Sequence, residues 1–299
     1  MNPKKQKYTP RERYKARWAY VFLAPWLLMF LIFYAYPLIY GTIVSFTNYT
    51  IGSMKWIGLE NYRTIFTDYR FWRSLRATIF YMLIVMPLQV FVPLWIANTI
   101  QAYKRGFNTA VKLVAYIPGV TCSVALVLAW RFMLDPNIGF VTSFLKKIFG
   151  ARFSPFNTAS TAIPIIAVLI AFTNLGATLI IYSAALNAIP ADYYEAAELD
   201  GATRWDQLTK ITIPLLQPTI VYVFITSTIG ALQIFVIPQL MTQGGPNFMT
   251  STVLLLIYSA AFGDNKFGYA SALGVILFLI TAIFAMFQFR ITRRDTVEY

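Results

Sequence analysis

The sequence predicts an all-α, polytopic membrane protein with about six transmembrane helices. Composition is the first sign. Of 299 residues, 58% are hydrophobic and 12% charged, where a soluble domain is about half apolar and a quarter charged. Length is the second. A bilayer core of about 30 Å needs about 20 apolar helical residues, and the runs 20–44, 77–99, 111–133, 162–186, 214–238 and 267–289 all reach that. The third is that Pro25, Pro37, Pro87, Pro93, Pro118 and Pro164 fall in or near these runs. Membrane helices tolerate such prolines where neighbours re-satisfy the backbone.

Residues 1–19 form a basic tail with Lys4, Lys5, Lys7, Arg11, Arg13, Lys15 and Arg17. The apolar run after it is too long for a signal peptide and lacks a small-residue cleavage site, so it reads as a retained anchor. Basic residues favour the cytoplasmic side, which puts the tail inside. Six spans over 20–290 then return the tail 291–299, just after Arg290 and with Arg293 and Arg294, to the same side. Lys104, Arg105, Lys112, Arg204 and Lys210 also fall inside. Arg73 and Arg76, at the outer end of the second span, run against the rule.

The outer segment 45–75 is aromatic, with Trp56, Tyr62, Phe66, Tyr69, Phe71 and Trp72. It suits an interfacial belt, a docking surface for an external partner, or both. Neither 77–103 nor 211–263 contains an Asp, Glu, Lys or Arg, and the chain has no histidine. A proton relay of the kind ion-coupled carriers use is therefore missing, as are acidic rings for a cation channel. Cys122 alone makes no disulfide framework within the chain, and no cluster suggests a metal site. No catalytic residues are expected. The net charge of +13 comes without any nucleic-acid-binding motif.

Some span residues are small or neutral polar. Asn174, Gly176 and Thr178 lie in the fourth span; Ser227, Gly230 and Gln233 lie in the fifth. Such residues pack helices closely; they can also line a path for a polar, uncharged solute. Asn174 and Gln233 fit packing least well, since a buried amide is costly without partners.

Residues 187–212 form a polar, acidic island that this topology places in the cytoplasm. Pro190 and Asp192 suit the start of a short helix, Gly201 its left-handed end, and Thr203 with Asp206 a capping box for a second. Ala196 and Ala197 leave a face that another surface can approach. On these residues alone, an ordinary surface loop and a docking element both remain open. No G-x-x-x-x-G-K-[ST] loop for ATP phosphates is present, so energy for active transport would have to come from another chain.

Glu195-Ala196-Ala197, Asp200-Gly201-Ala202 and Ile211-Thr212-Ile213-Pro214-Leu215 closely resemble the "EAA" signature of ABC-importer permeases. Leu240 to Pro246 with Thr250, and Gly58 to Tyr62, are similar to outer loops of the maltose/oligosaccharide group. The resemblance implies a type I importer permease fold over 20–290 in the shorter form, without a large outer domain. It implies a coupling loop at 187–214 carrying Glu195, Ala196, Ala197, Asp200, Gly201 and Pro214. It implies a second permease subunit, an ATPase subunit dimer holding ATP and Mg, and an extracytoplasmic solute-binding protein. The chain itself would hold no cofactor and would not be an enzyme. Cargo would be a sugar or oligosaccharide moved by alternating access, with Asn174, Gly176, Thr178, Ser227, Gly230 and Gln233 as the candidate path. A stand-alone carrier or channel for a small neutral solute is the alternative reading. A charge-poor path favours neutral sugars, and Arg131 leaves uronates open.

Overall fold

A computed structural model describes residues 10–150 and 154–292, and every regular element in that range is helical. Lys4, Lys5, Lys7, Arg293 and Arg294 of the expected tails lie outside the described residues. Helix α1 (Pro10–Phe30) continues through a π turn into α2 (Tyr36–Val44). Then come α3 (Glu60–Thr67), α4 (Tyr69–Gln101), α5 (Arg105–Val120), α6 (Ser123–Met133), α7 (Phe140–Phe149) and α8 (Ala159–Asn187). The chain continues with α9 (Asp192–Leu199), α10 (Arg204–Gln207), α11 (Ile213–Leu232), α12 (Val236–Thr242), α13 (Val253–Tyr258) and α14 (Phe267–Thr292). Five columns are long and apolar enough to cross a bilayer. Counting the bent pair α5 and α6 as one broken span gives six.

Two expected spans are corrected. The run 111–133 is not straight: α5 and α6 meet at 95°. Pro118 cannot donate to the helix ladder, and Thr121 and Cys122 at the break have extended backbone. The run 214–238 stops at Leu232, and residues 233–235 leave the helical conformation before α12 resumes. The Ile234 carbonyl, lost to the helix ladder, accepts from Thr252 Oγ1 at 2.6 Å. Unwound backbone at membrane depth survives where protein satisfies it.

The centre is the α4–α8 pair, with α5 and α11 packed on it. Tyr81, Ile166, Leu179, Tyr182, Leu216 and Leu232 are fully buried there. Gly176 sets the α5–α8 approach: a Cβ at this position would run into the Ala115 and Tyr116 backbone, so only glycine permits the crossing. The first span is built differently. Only 6% of its most apolar window is buried, against 44% for α8, and Phe22, Phe33 and Tyr34 are exposed. Its one substantial helix–helix packing is that of α2 on α14.

The segments between spans at the end remote from the acidic island are tied down by polar side chains. Asn61 donates from Nδ2 to the Ser45 and Thr47 carbonyls at 2.8 and 2.9 Å. Asp68 caps α4 by accepting from the Arg70 backbone N–H, and it also accepts from Tyr269 Oη of α14 at 2.8 Å. Burial pushes the Asp68 carboxyl up, but the Arg70 and Tyr269 hydrogen bonds and the Arg70 charge together outweigh burial and hold it below its usual value. Thr250 is buried beneath the outer loop, donating to the Gly245 carbonyl at 2.8 Å. The resembling outer-loop motifs are thus largely fold-determining contacts.

Candidate functional site

The acidic island folds as two short capped helices. Ala191 caps α9, with Asp192 as its first helical residue and no side-chain cap bond. Pro190 therefore stands just ahead of the helix, outside its first turn. The far end is a Schellman motif. The Ala202 N–H bonds the Ala197 carbonyl at 2.9 Å, and the Gly201 N–H bonds the Glu198 carbonyl at 3.1 Å. Gly201 stands at φ +76°, where a Cβ would be strained. Thr203 and Asp206 then form the capping box of α10, each side chain accepting the other's backbone N–H at 3.2 Å. Lys210 pairs with Asp206 at 2.6 Å.

The second helix is the start of the span that follows: α10 runs through a π turn (Leu208–Thr212) into α11 as one continuous helix, and one side-chain bond ties α9 to it. Tyr194 Oη lies 3.0 Å from Thr212 Oγ1, and Thr212 in turn donates to the Gln207 carbonyl at 3.2 Å. Thr212 is buried. Pro214 follows directly on the π turn, within the continuous helix Arg204–Leu232, where its missing N–H removes a ladder bond. The motif points to Glu195 and Gly201 and not to this tether, although Thr212 stands within it and Tyr194 directly before it. No local spacing rule pairs side chains 18 positions apart.

The island's outer surface is left bare. Leu199 is 90% exposed and Trp205 69%. Glu195 and Ala196 are also exposed, and the Glu195 carboxylate has no hydrogen-bond partner among the described residues. A rigid, acidic projection with two large uncovered apolar side chains is suited to insertion into a complementary groove.

A second candidate region lies at mid-span. A cleft of about 430 Å³ opens between α4, α8, α11 and the unwound stretch before α12. Asn174, Thr178, Ser227 and Gly230 line it, joined by Thr173, Thr226 and Gln89. No ionisable side chain lines it. Thr173 and Thr226 donate their hydroxyl protons to the Ile170 and Tyr222 carbonyls, each at 2.8 Å. Thr173 Oγ1 also accepts a long bond of 3.4 Å from Asn174 Nδ2, and the remaining lone pairs stay available to a donor. Asn174 Nδ2 bonds the Ile170 carbonyl at 3.1 Å, leaving its amide oxygen as an acceptor. A Cβ added at Gly230 would meet nothing within 4 Å.

Gly176 and Gln233 stand elsewhere. Gly176 packs against α5, and Gln233 lines a separate groove between α11 and α14 with Gly274 and Thr281. Gln89 is the cleft residue that sequence reasoning passed over. It is buried, and its amide has no hydrogen-bond partner among the described residues. An amide near the middle of a charge-free span was the available signal.

Comparison with known proteins adds the family. Residues 68–296 match the family described as "Binding-protein-dependent transport system inner membrane component". The chain is 31% identical over 280 residues to the sulfoquinovosyl glycerol transport system permease protein SmoG of Agrobacterium fabrum, covering 92% of this chain and 90% of that one. It is 28% identical over 285 residues to the multiple sugar-binding transport system permease protein MsmF of Streptococcus mutans, covering 94% and 97%. In structure it is similar to a chain of the bacterial alginate ABC transporter solved in complex with an alginate pentasaccharide-bound periplasmic protein. The TM-score is 0.82 at 24% identity, over 95% of this chain and 96% of that one, so the fold is shared. The chain is a multi-pass membrane protein and belongs to the family of inner-membrane components of binding-protein-dependent transport systems.

Proposed function

We propose that this chain is one permease half of an ATP-driven ABC importer for a sugar or oligosaccharide, working by alternating access with a second permease subunit. The carrying observation is the acidic island, a rigid projection held from both ends whose Leu199 and Trp205 are uncovered. In this reading both termini and the island face the cytoplasm. The island docks in a groove of a separate ATPase dimer, which holds ATP and Mg. Closure of that dimer pushes on α9, and the Tyr194–Thr212 tether passes the displacement to α11. Residues of α11 line the cleft, so the push reaches the path directly.

A solute-binding protein delivers the cargo from outside. The charge-free cleft supports a hydroxyl-rich, uncharged solute, met by the lone pairs of Thr173, Thr226 and the Asn174 amide. Relatives named for sugars of varied chemistry support the carbohydrate class and leave its identity to the binding protein and partner half.

The test is uptake of radiolabelled sugars in proteoliposomes reconstituted with the chain's co-purifying subunits and binding protein. Uptake should require ATP and be lost in a Glu195→Ala, Gly201→Val double variant. Coupled uptake surviving that replacement, or uptake by liposomes containing this chain alone, would overturn the reading; the latter would favour a stand-alone carrier.

A further inference from the structure

The end of the α4–α8 pair remote from the acidic island holds a second cavity, of about 570 Å³. Arg73, Arg76, Phe80 and Ile84 of α4 line it, with Ile163 and Pro164 of α8. It shares no residue with the mid-span cleft, and its α4 residues lie roughly 150° around the helix from Val85 and Gln89.

Helix length sets the depth of these groups. At 1.5 Å per residue α4 is about 50 Å long, some 20 Å more than the hydrocarbon core. The apolar stretch runs to its far end, so the surplus lies in its first turns. Arg73 and Arg76 therefore stand at headgroup level, with Phe80 and Ile84 at acyl depth below them. On α8, Ser160 stands at the upper level, with Ile163 and Pro164 beneath.

The charges at that level are uncompensated. Arg70, one turn away, is paired with Asp68 and Asp264. Arg73 and Arg76 have no carboxylate partner among the described residues. Arg73 donates from Nη1 to the Asn247 carbonyl at 2.8 Å, and Arg76 lies over the Phe80 ring at 5.6 Å. Topology gives no reason for basic residues here, since they oppose the rule that orients the spans. Two guanidinium groups above an apolar floor match a phosphate joined to an acyl chain. An acidic protein surface would satisfy the arginines but not the floor.

We propose that this cavity binds an anionic phospholipid, its phosphate held by Arg73 and Arg76 and an acyl chain lying on Phe80, Ile84 and Ile163. The test is native mass spectrometry of the transporter as purified from membranes, released from nanodiscs of equal phosphatidylglycerol and phosphatidylcholine. The wild type should retain phosphatidylglycerol over phosphatidylcholine by about tenfold. Arg73→Gln with Arg76→Gln should bring the ratio near one, and Arg73→Lys with Arg76→Lys should keep much of it. Ala159→Trp, which fills the groove, should abolish retention with both arginines present. Arg63→Gln, exposed and outside the cavity, should change nothing. Equal retention of both lipids by the wild type overturns the proposal, as does an unchanged ratio in the double Gln variant or in Ala159→Trp. An equal loss in Arg63→Gln would reduce it to diffuse charge. Loss of binding-protein association with lipid retention intact in the double Gln variant would replace it with a protein-docking site.

Discussion

The acidic island and the mid-span cleft are built on opposite principles. The island is local. Its caps join residues three to five positions apart, and each bond has a recognised sequence signature. The cleft is assembled. Its walls come from α4, α8, α11 and the unwound stretch after it, and run in sequence from Val85 to Ile237. A local device depends on backbone conformation and should fail through one residue. An assembled one should fail through volume and hydrogen bonding, and more gradually.

The sharpest way to break this contrast is Gly201→Val. A β-branched residue at φ +76° costs about 1–2 kcal/mol and opposes the Schellman turn. ATP-driven uptake should fall at least about tenfold while the protein still reaches the membrane, and Gly201→Asn should retain most activity. Normal uptake in Gly201→Val would mean that the island does not need its turn. Next is Gly230→Trp, which places bulk where an added Cβ meets open space. Thermal stability should stay close to wild type, and uptake should fall about tenfold with ATPase coupling retained. A large loss of stability instead would show Gly230 to be a packing residue.

A smaller effect is expected at Gln89. Gln89→Leu removes one buried hydrogen-bonding group, worth about 1 kcal/mol, so the KM for uptake should rise about fivefold with kcat little changed. An unchanged KM would remove Gln89 from the path. The smallest effect on uptake is that of pH. The cleft has no ionisable lining, so cargo binding should be flat with pH. The Asp68 latch should not be. Its carboxyl is held below the usual value in the folded protein, so its contribution is complete above about pH 4 and is lost as pH falls through the lowered value. Thermal unfolding in detergent should show an acid loss that Asp68→Asn removes, at a cost near neutrality of about 1–3 kcal/mol.

The first span stands apart from both regions. Its apolar run was plain in the sequence, yet it packs little on the rest of the chain. Apolar patterning reports a preference for lipid or protein over water, and it does not distinguish between the two. The same blindness hid the break after Leu232. Ile234 and Phe235 read as ordinary span residues, and only the Thr252 hydroxyl, 18 positions away, makes the unwound carbonyl tolerable. It also left Gly176 looking like a path residue, when its backbone is what lets α5 reach α8.

By itself the sequence determined the membrane class and the caps of the island. Those depend on apolar run length and on capping rules that act within a few residues. Tertiary structure decided the α5–α6 bend, the break after Leu232, the grouping of Asn174, Thr178, Ser227 and Gly230 with Gln89, and the separation of Gly176 and Gln233 from them. Those depend on which helix faces meet. In α8, α11 and α14, apolar on every side, the sequence carries no amphipathic stripe to orient them.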